Sequence, residues 1–362
     1  MEPLKIICFC IGGIIISLIS NALLLNFSKS LGIRNKNDVM VRWSNESKPS
    51  LGGVSFFIVF LFFMLVHLIL FYEENIFHNE LYTVSPFEFT GLVLAGTIAF
   101  SMGLADDAYN TKPLFKLLVQ ISCGIIFILT GTKIDVTHIF AIDAAFTILW
   151  VIIIMNSLNM LDNMDGITGT TVISILLTCL FGNWIISGFN ADIWTLSIVA
   201  MLGGVLGFLV MNVNPSKLFM GDAGSQFIGL FVSFFAIRNL WNVSAETETN
   251  AWASIIVTLI AFTPAAVDTL TVVINRLKKG KSPMVGGKDH TTHHLVYAGL
   301  NDIQVWYVFL ALGIGSTLLS VIMIYLIDLG IILPIAFFSI YFLATFYFLY
   351  RITLKFPQKK KD

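Results

Sequence analysis

The sequence predicts an all-α fold, a polytopic membrane helix bundle of about eleven transmembrane helices with its N-terminus outside and its C-terminus cytoplasmic. Three observations point there. Of 362 residues, 57% are hydrophobic and only 12% charged, whereas a soluble domain carries roughly 25% charged residues. Apolar runs long enough to cross ~30 Å of hydrocarbon recur along the whole chain. The basic residues gather on alternate loops, as the positive-inside rule requires. A net charge of -1 argues against a nucleic-acid binder.

The runs fall near 4–25, 53–72, 87–104, 114–131, 144–161, 167–187, 193–211, 223–242, 251–275, 303–327 and 331–354. Each is long enough to span as a helix. The first is too long for the core of a signal peptide, and no small-x-small cleavage site follows it, so it reads as a membrane helix. The longest polar stretch runs from Arg276 to Asp302. That leaves no separate water-soluble domain, and residues 1–362 read as one integral membrane domain. No internal repeat is evident, which counts against an inverted-repeat transporter. The four cysteines, Cys8, Cys10, Cys123 and Cys179, lie inside apolar runs without metal or disulfide spacing. They read as small hydrophobes.

Orientation follows from Lys and Arg. Lys29, Arg34, Lys36, Arg42 and Lys48 lie in the first loop, Lys112 and Lys116 in the third, and Lys217 in the seventh. Arg276, Lys278, Lys279, Lys281 and Lys288 lie in the ninth, and Arg351, Lys355, Lys359, Lys360 and Lys361 in the tail. With eleven alternating spans, 18 of the 21 basic residues share one side. The opposite loops hold Glu73, Glu74, Glu80, Asp192, Glu246, Glu248 and Asp328.

Five carboxylates mark that basic, cytoplasmic face: Asp106 and Asp107 after the third span, Asp162 and Asp165 after the fifth, Asp222 before the eighth. An acid at a membrane boundary is costly unless hydrated, paired or bound to a cation. One alone reads equally well as a solvated cap. Five on one face suggest a hard cation held by oxygens, most simply Mg²⁺ shared with substrate phosphates.

The blocks KPSLGG (48–53), GLADDAYNTKPLFKLLVQ (103–120), NSLNMLDNMDGIT (156–168), NPSKLFMGDAGSQFIG (214–229) and GKSPMVGGKDHTTHHL (280–295) occur in this order on that face. Together they closely resemble the polyprenyl-phosphate N-acetylhexosamine-1-phosphate transferases, the WecA/TagO-like and MraY-like superfamily. The resemblance covers residues 48 to 295. It implies transfer of a sugar phosphate, GlcNAc-1-phosphate as the first expectation, from a UDP-sugar donor to undecaprenyl phosphate. UMP leaves, and the reaction initiates a cell-envelope glycan at the cytoplasmic side of a bacterial inner membrane. Mg²⁺ is the implied cofactor, with Mn²⁺ as a substitute.

The resemblance also implies roles. Asp106 and Asp107 engage the metal and deprotonate or position the lipid phosphate, and Asp222 ligates the metal together with Asp106. Asn159, Asp162 and Asp165 contact the nucleotide sugar, with Asn212 near its pocket. Lys48 and Lys116 meet phosphate, and His290, His293 and His294 form the histidine cluster of the last large cytoplasmic loop. Ala108 stands where the MraY branch tends to have a third Asp, which favours the WecA/TagO-like side. The histidine block reads H-T-T-H-H rather than H-x-H-H. At i, i+3 and i+4, a helix would put its three rings on one face, expected to point into the acidic mouth. Asp268 is expected to form a structural ion pair with an arginine or lysine. Gly203, Gly204 and Gly207 are expected to serve helix packing.

Other classes fit less well. A transporter with a cytoplasmic acidic cation site is the main alternative, but its acids would lie at the membrane midplane. A CDP-alcohol phosphotransferase would carry a D-G-x-x-A-R signature, which is absent. The intact acidic blocks argue against a scaffold. The lipid bilayer is an expected partner, and a homodimer is among the assemblies the sequence allows.

Overall fold

The computed structural model describes residues 2–30, 48–70, 86–283 and 286–357. Its elements are α1 (Glu2–Ser30), α2 (Gly52–Leu70), α3 (Pro86–Tyr109), α4 (Pro113–Leu129), α5 (Phe140–Leu161), α6 (Ile167–Ser187) and α7 (Ile193–Asn212). There follow α8 (Gly221–Ala236), α9 (Ala251–Ala261), α10 (Thr263–Lys278), α11 (Thr291–Tyr297), α12 (Asp302–Asp328) and α13 (Ile335–Lys355). The described residues contain no strand. Of the basic and acidic loop residues used for orientation, Arg34, Lys36, Arg42, Glu73, Glu74, Glu80, Lys359, Lys360 and Lys361 lie outside the described residues, and nothing is described of the Lys29 side chain.

Helices stand at all eleven expected positions, with two differences in kind. Among the described residues nine helices are long and apolar enough to cross a membrane. The expected fourth span, α4, has 17 residues, or ~25 Å at 1.5 Å per residue. Pro113 at its first position fixes the entry, and the helix stops at Leu129, two residues before the expected end. Lys116 in its first turn therefore sits at the mouth rather than beyond it. The expected ninth span is broken: α9 and α10 meet at 81°. Pro264 lies in the first turn of α10; lacking an N–H and clashing with the preceding turn, proline ends a continuous helix there. The break turns α10 aside and carries Asp268 and Arg276 toward α11.

The core is built on α7 and α8, whose apolar stretches are 89% and 83% buried, against 28% and 22% for α1 and α13 at the rim. Small residues let backbones touch, as lipid offers no hydrophobic drive between helices. A methyl group on Gly203 would lie 2.2 Å from the Cys10 carbonyl oxygen of α1, and one on Gly207 2.7 Å from that of Ile14. Gly204 faces Val59 of α2 in the same way. These glycines pack helices, as expected.

The same device seats α2, α3 and α8 together at the site. Any side chain on Gly53 would meet the Gly224 backbone at 2.1 Å, and one on Gly103 the Asp222 carbonyl oxygen at 2.3 Å. The segment 48–53 runs beside 219–220: Phe219 N–H donates to Pro49 O (2.9 Å), Gly52 N–H to Phe219 O (3.0 Å) and Gly53 N–H to Met220 O (2.8 Å). Two blocks 170 residues apart thus become one wall.

Candidate active site

Three groups of predicted residues are distinguishable. The first lies where α3, α4, α5 and α8 meet. Asp106, buried near the end of α3, forms an ion pair with Lys116. The other oxygen of Asp106 accepts from the Thr111 backbone N–H (2.7 Å) and hydroxyl (2.8 Å). The same ammonium lies 3.8 Å from Asp222 Oδ2. Asn159 donates its amide to Asp222 Oδ1 (2.8 Å) and to Ser225 Oγ (2.9 Å). Each carboxylate therefore has one oxygen bonded to uncharged donors and turns the other toward Lys116. Asp107, half-buried, accepts from the Ala223 N–H (2.9 Å), which joins the paired acids of α3 to the first turn of α8.

The second group surrounds two turns. Asp165 accepts from the Ser216 N–H (3.1 Å), and Lys48 donates to the Ser216 hydroxyl (3.3 Å) while lying over the Phe219 ring. Asn212 is buried and bonded at both ends: its Oδ1 accepts from Gly166 N–H (2.9 Å) and its amide donates to Leu218 O (2.9 Å). Gly166 has φ +78°, a left-handed conformation that a side chain disfavours. Asn212 thus fastens the D-G turn before α6 to the N-P-S turn before α8. Asp162 caps the C-terminal end of α5.

The third group is the histidine helix α11. All three histidines are buried. His290 caps the helix rather than lying within it, and its Nδ1–H donates to Asp268 (2.8 Å). The other Asp268 oxygen accepts from the Thr291 N–H (2.8 Å) and hydroxyl (2.6 Å). Asp268 does not form the expected ion pair with an arginine or lysine; its partners are His290 and Thr291. Arg276 instead binds Asp289 through two parallel contacts (2.9 and 2.7 Å) and reaches Pro283 O (2.7 Å). Burial alone would raise the Asp289 carboxyl, but the guanidinium outweighs it and holds it below the usual range.

His293 Nδ1 accepts from the His290 N–H (3.3 Å), which places its neutral-ring proton on Nε2. Burial first, then the neighbouring His290, pulls the His293 pKa down to about 3. His294 is also lowered by burial; its Nδ1–H donates to Phe356 O (2.7 Å) at the end of α13. Nδ1 is thus committed in every ring, to Asp268, to the His290 N–H and to Phe356 O. Thr292 closes the circuit, donating to Asn163 Oδ1 (2.6 Å) in the block 156–168. The two threonines of H-T-T-H-H therefore tie α11 to α10 and to the D-N-M-D-G turn.

Sequence reasoning missed Thr111, Ser216, Ser225, Asn163, Thr291 and Thr292. All lie inside the five blocks; only their hydrogen bonds distinguish them from ordinary loop polar residues. No group of three acidic, His or Cys side chains poised to hold an ion occurs among the described residues. Asp106 and Asp222 do converge on one cation. An all-oxygen pair of this kind suits Mg²⁺, which binds through one or two carboxylates and completes its shell with phosphate oxygens and water.

Fold and site together define a multi-pass helical membrane protein with a carboxylate–lysine site at one end of the bundle. The glycosyl transferase family 4 model matches residues 89–239. Over 263 residues the chain is 27% identical to a probable undecaprenyl-phosphate N-acetylglucosaminyl 1-phosphate transferase of Bacillus subtilis, covering 70% of this chain and 67% of that one. It is 28% identical over 255 residues to a decaprenyl-phosphate N-acetylglucosaminephosphotransferase of Mycolicibacterium smegmatis, covering 63% of each. It is also 28% identical over 235 residues to a phospho-N-acetylmuramoyl-pentapeptide-transferase of Streptococcus agalactiae, covering 59% of this chain and 66% of the relative. The chain thus spans about two thirds of the length of the curated relatives it matches. The resemblance to the polyprenyl-phosphate N-acetylhexosamine-1-phosphate transferases is borne out.

Proposed function

We propose that this protein transfers an N-acetylhexosamine-1-phosphate, first of all GlcNAc-1-phosphate, from a UDP-sugar to undecaprenyl phosphate at the cytoplasmic side of a bacterial inner membrane. The observation that carries the reading is that Asp106 and Asp222 face the one Lys116 ammonium while Asn159 holds Asp222, four residues from four helices. In this reading an oxygen of the lipid phosphate attacks the sugar-linked phosphorus. The bond from that phosphorus to the bridging oxygen breaks, and UMP leaves with its electrons. Phosphoryl transfer of this kind rests on positioning and charge neutralisation.

The residues divide that work. Lys116 compensates phosphate charge, and Asp106 and Asp107 orient the incoming lipid phosphate or take its proton. Asp222 and Asp106 are the proposed Mg²⁺ ligands, and Asn159 fixes Asp222 by holding its second oxygen. Bound there, the ion would neutralise charge on the pyrophosphate oxygens. Lys48, Asp162, Asp165, Asn212, His290, His293 and His294 are assigned to the donor side.

The test is purified protein with radiolabelled UDP-GlcNAc and undecaprenyl phosphate, followed by lipid extraction and nucleotide analysis. Labelled lipid and stoichiometric UMP are expected, with activity abolished by EDTA and restored by Mg²⁺ or Mn²⁺. UDP as the stoichiometric nucleotide would mean attack at carbon and would overturn the proposal. A panel of UDP-N-acetylhexosamines in the same assay identifies the sugar. Sidedness is tested with single cysteines: one at Asn190 should label from outside the cell and one at Asn110 should not. External labelling at Asn110 would reject a cytoplasmic site.

A further inference from the structure

Directly beneath the carboxylate–lysine site lies a second polar layer to which no role has been assigned. Gln120 of α4, almost fully buried, donates its amide to Gln226 Oε1 of α8 (3.1 Å), itself almost fully buried. The Gln120 carbonyl oxygen accepts from the Asn156 amide of α5 (2.8 Å). Three side-chain amides thus link three helices within the apolar body of the bundle.

The spacing relates this layer to the site above it. Gln120 lies four residues after Lys116, and Gln226 four residues after Asp222. Asn156 lies three before Asn159. Residues so spaced share a helix face, about one turn of 5.4 Å apart. α4 and α8 run inward from the site and α5 runs outward to it, so all three amides fall on the same deeper side. Each helix carries one site residue and, one turn below it, one member of the amide chain.

We propose that Gln120 is a positioning residue for the transfer reaction. Its amide, bonded on both sides, fixes the axial register and rotation of α4 against α5 and α8. It thereby sets the distances among Lys116, Asp222 and Asn159. Lys116 has a flexible four-carbon stem and cannot set these distances itself. An apolar interface would permit sliding, because side chains packed by dispersion are not directional, whereas an amide pair in hydrocarbon has few alternative partners. This inference rests on the transferase reading above.

The test separates register from stability. Leaving one buried amide unpaired is expensive, but replacing both partners by apolar groups is close to neutral for folding. Asn156 keeps an acceptor in either case, since its amide also donates to Ile152 O (2.8 Å). The double variant Gln120→Leu/Gln226→Leu should therefore melt within a few degrees of wild type in detergent. Its kcat should fall about tenfold or more, with the KM for the UDP-sugar changed less than twofold. Gln120→Met/Gln226→Met, which likewise removes both amides while keeping their side-chain length, should show the same loss of kcat with the same unchanged KM. Gln120→Glu, which keeps an acceptor of the same length for Asn156, should recover part of the loss relative to Gln120→Leu. Wild-type kcat in either well-folded double variant, leucine or methionine, overturns the inference. An inactive wild-type protein would instead reject the transferase reading.

Discussion

The two polar ends of the candidate site are held in opposite ways. The carboxylate–lysine group is assembled by helices that already touch: α3, α4, α5 and α8 pack side by side, and the site residues occupy their ends. Three ties drawn from beyond its own turn hold the histidine helix instead: to Asp268 in α10, to Asn163 after α5 and to Phe356 after α13. A seven-residue helix such as α11 is too short to be stable alone. The first group inherits rigidity from the bundle, and the second depends on a few hydrogen bonds and one bidentate ion pair.

The largest expected effect breaks the rigid half. Asp222→Asn and Asp107→Asn remove charge with little change of volume, and each should lower turnover at least ~10²-fold, the scale of one lost electrostatic contact. Melting should stay close to wild type, because the surrounding helices remain packed. Near-normal turnover of purified Asp222→Asn protein would exclude it as an essential ligand.

A smaller effect is expected from the dependent half. Asp268→Ala leaves the buried His290 ring and Thr291 N–H without their acceptor, a cost of about 1–3 kcal/mol for each such group. The consequence should be local: faster hydrogen exchange across 286–297, with exchange in α7 and α8 unchanged. A uniform rise across the bundle would show that α11 is not the separate, weaker unit proposed.

The pH response sharpens the same contrast. His293 titrates near 3 in the folded protein because burial disfavours its charge, and His294 is shifted in the same direction. An opened segment would take up protons near 6.5. The folded form binds fewer protons between these values, so the histidines' contribution is fully present above 6.5 and is lost as pH falls toward 3. Asp289 is shifted below the ordinary carboxylate range, so its contribution is present above the unfolded value of about 3.9 and is lost as pH falls below it. Hydrogen exchange in α11 should therefore accelerate from pH 7 to 5 relative to α8, after correction for intrinsic rates. No relative change would remove the histidines as the cause.

The smallest effect is expected from Thr292→Ala. It removes one hydrogen bond to Asn163 and should cost about 1 kcal/mol of local stability, with a modest rise in KM for the UDP-sugar. A change in kcat alone would place Thr292 with the rigid half.

The sequence by itself determined the membrane class, the positions of the helices and the polar blocks at their ends, because hydrocarbon imposes a long apolar run on every span and permits charge only near its ends. Pairing was not legible in that pattern. That Lys116 joins Asp106 to Asp222, that Asp268 takes His290 rather than Arg276, and that Gln120 meets Gln226 depends on which helices are neighbours and how each is rotated. Small-residue contacts between distant segments decide this, such as Gly53 against Gly224 and Gly203 against the Cys10 carbonyl. The broken span needed the structure as well, since composition reads α9 and α10 as one apolar run and only the chain geometry at Phe262 and Pro264 separates them. Hydropathy records what each residue must avoid, whereas a polar group's partner is fixed by close packing in three dimensions, where one turn of a helix changes which side chains meet.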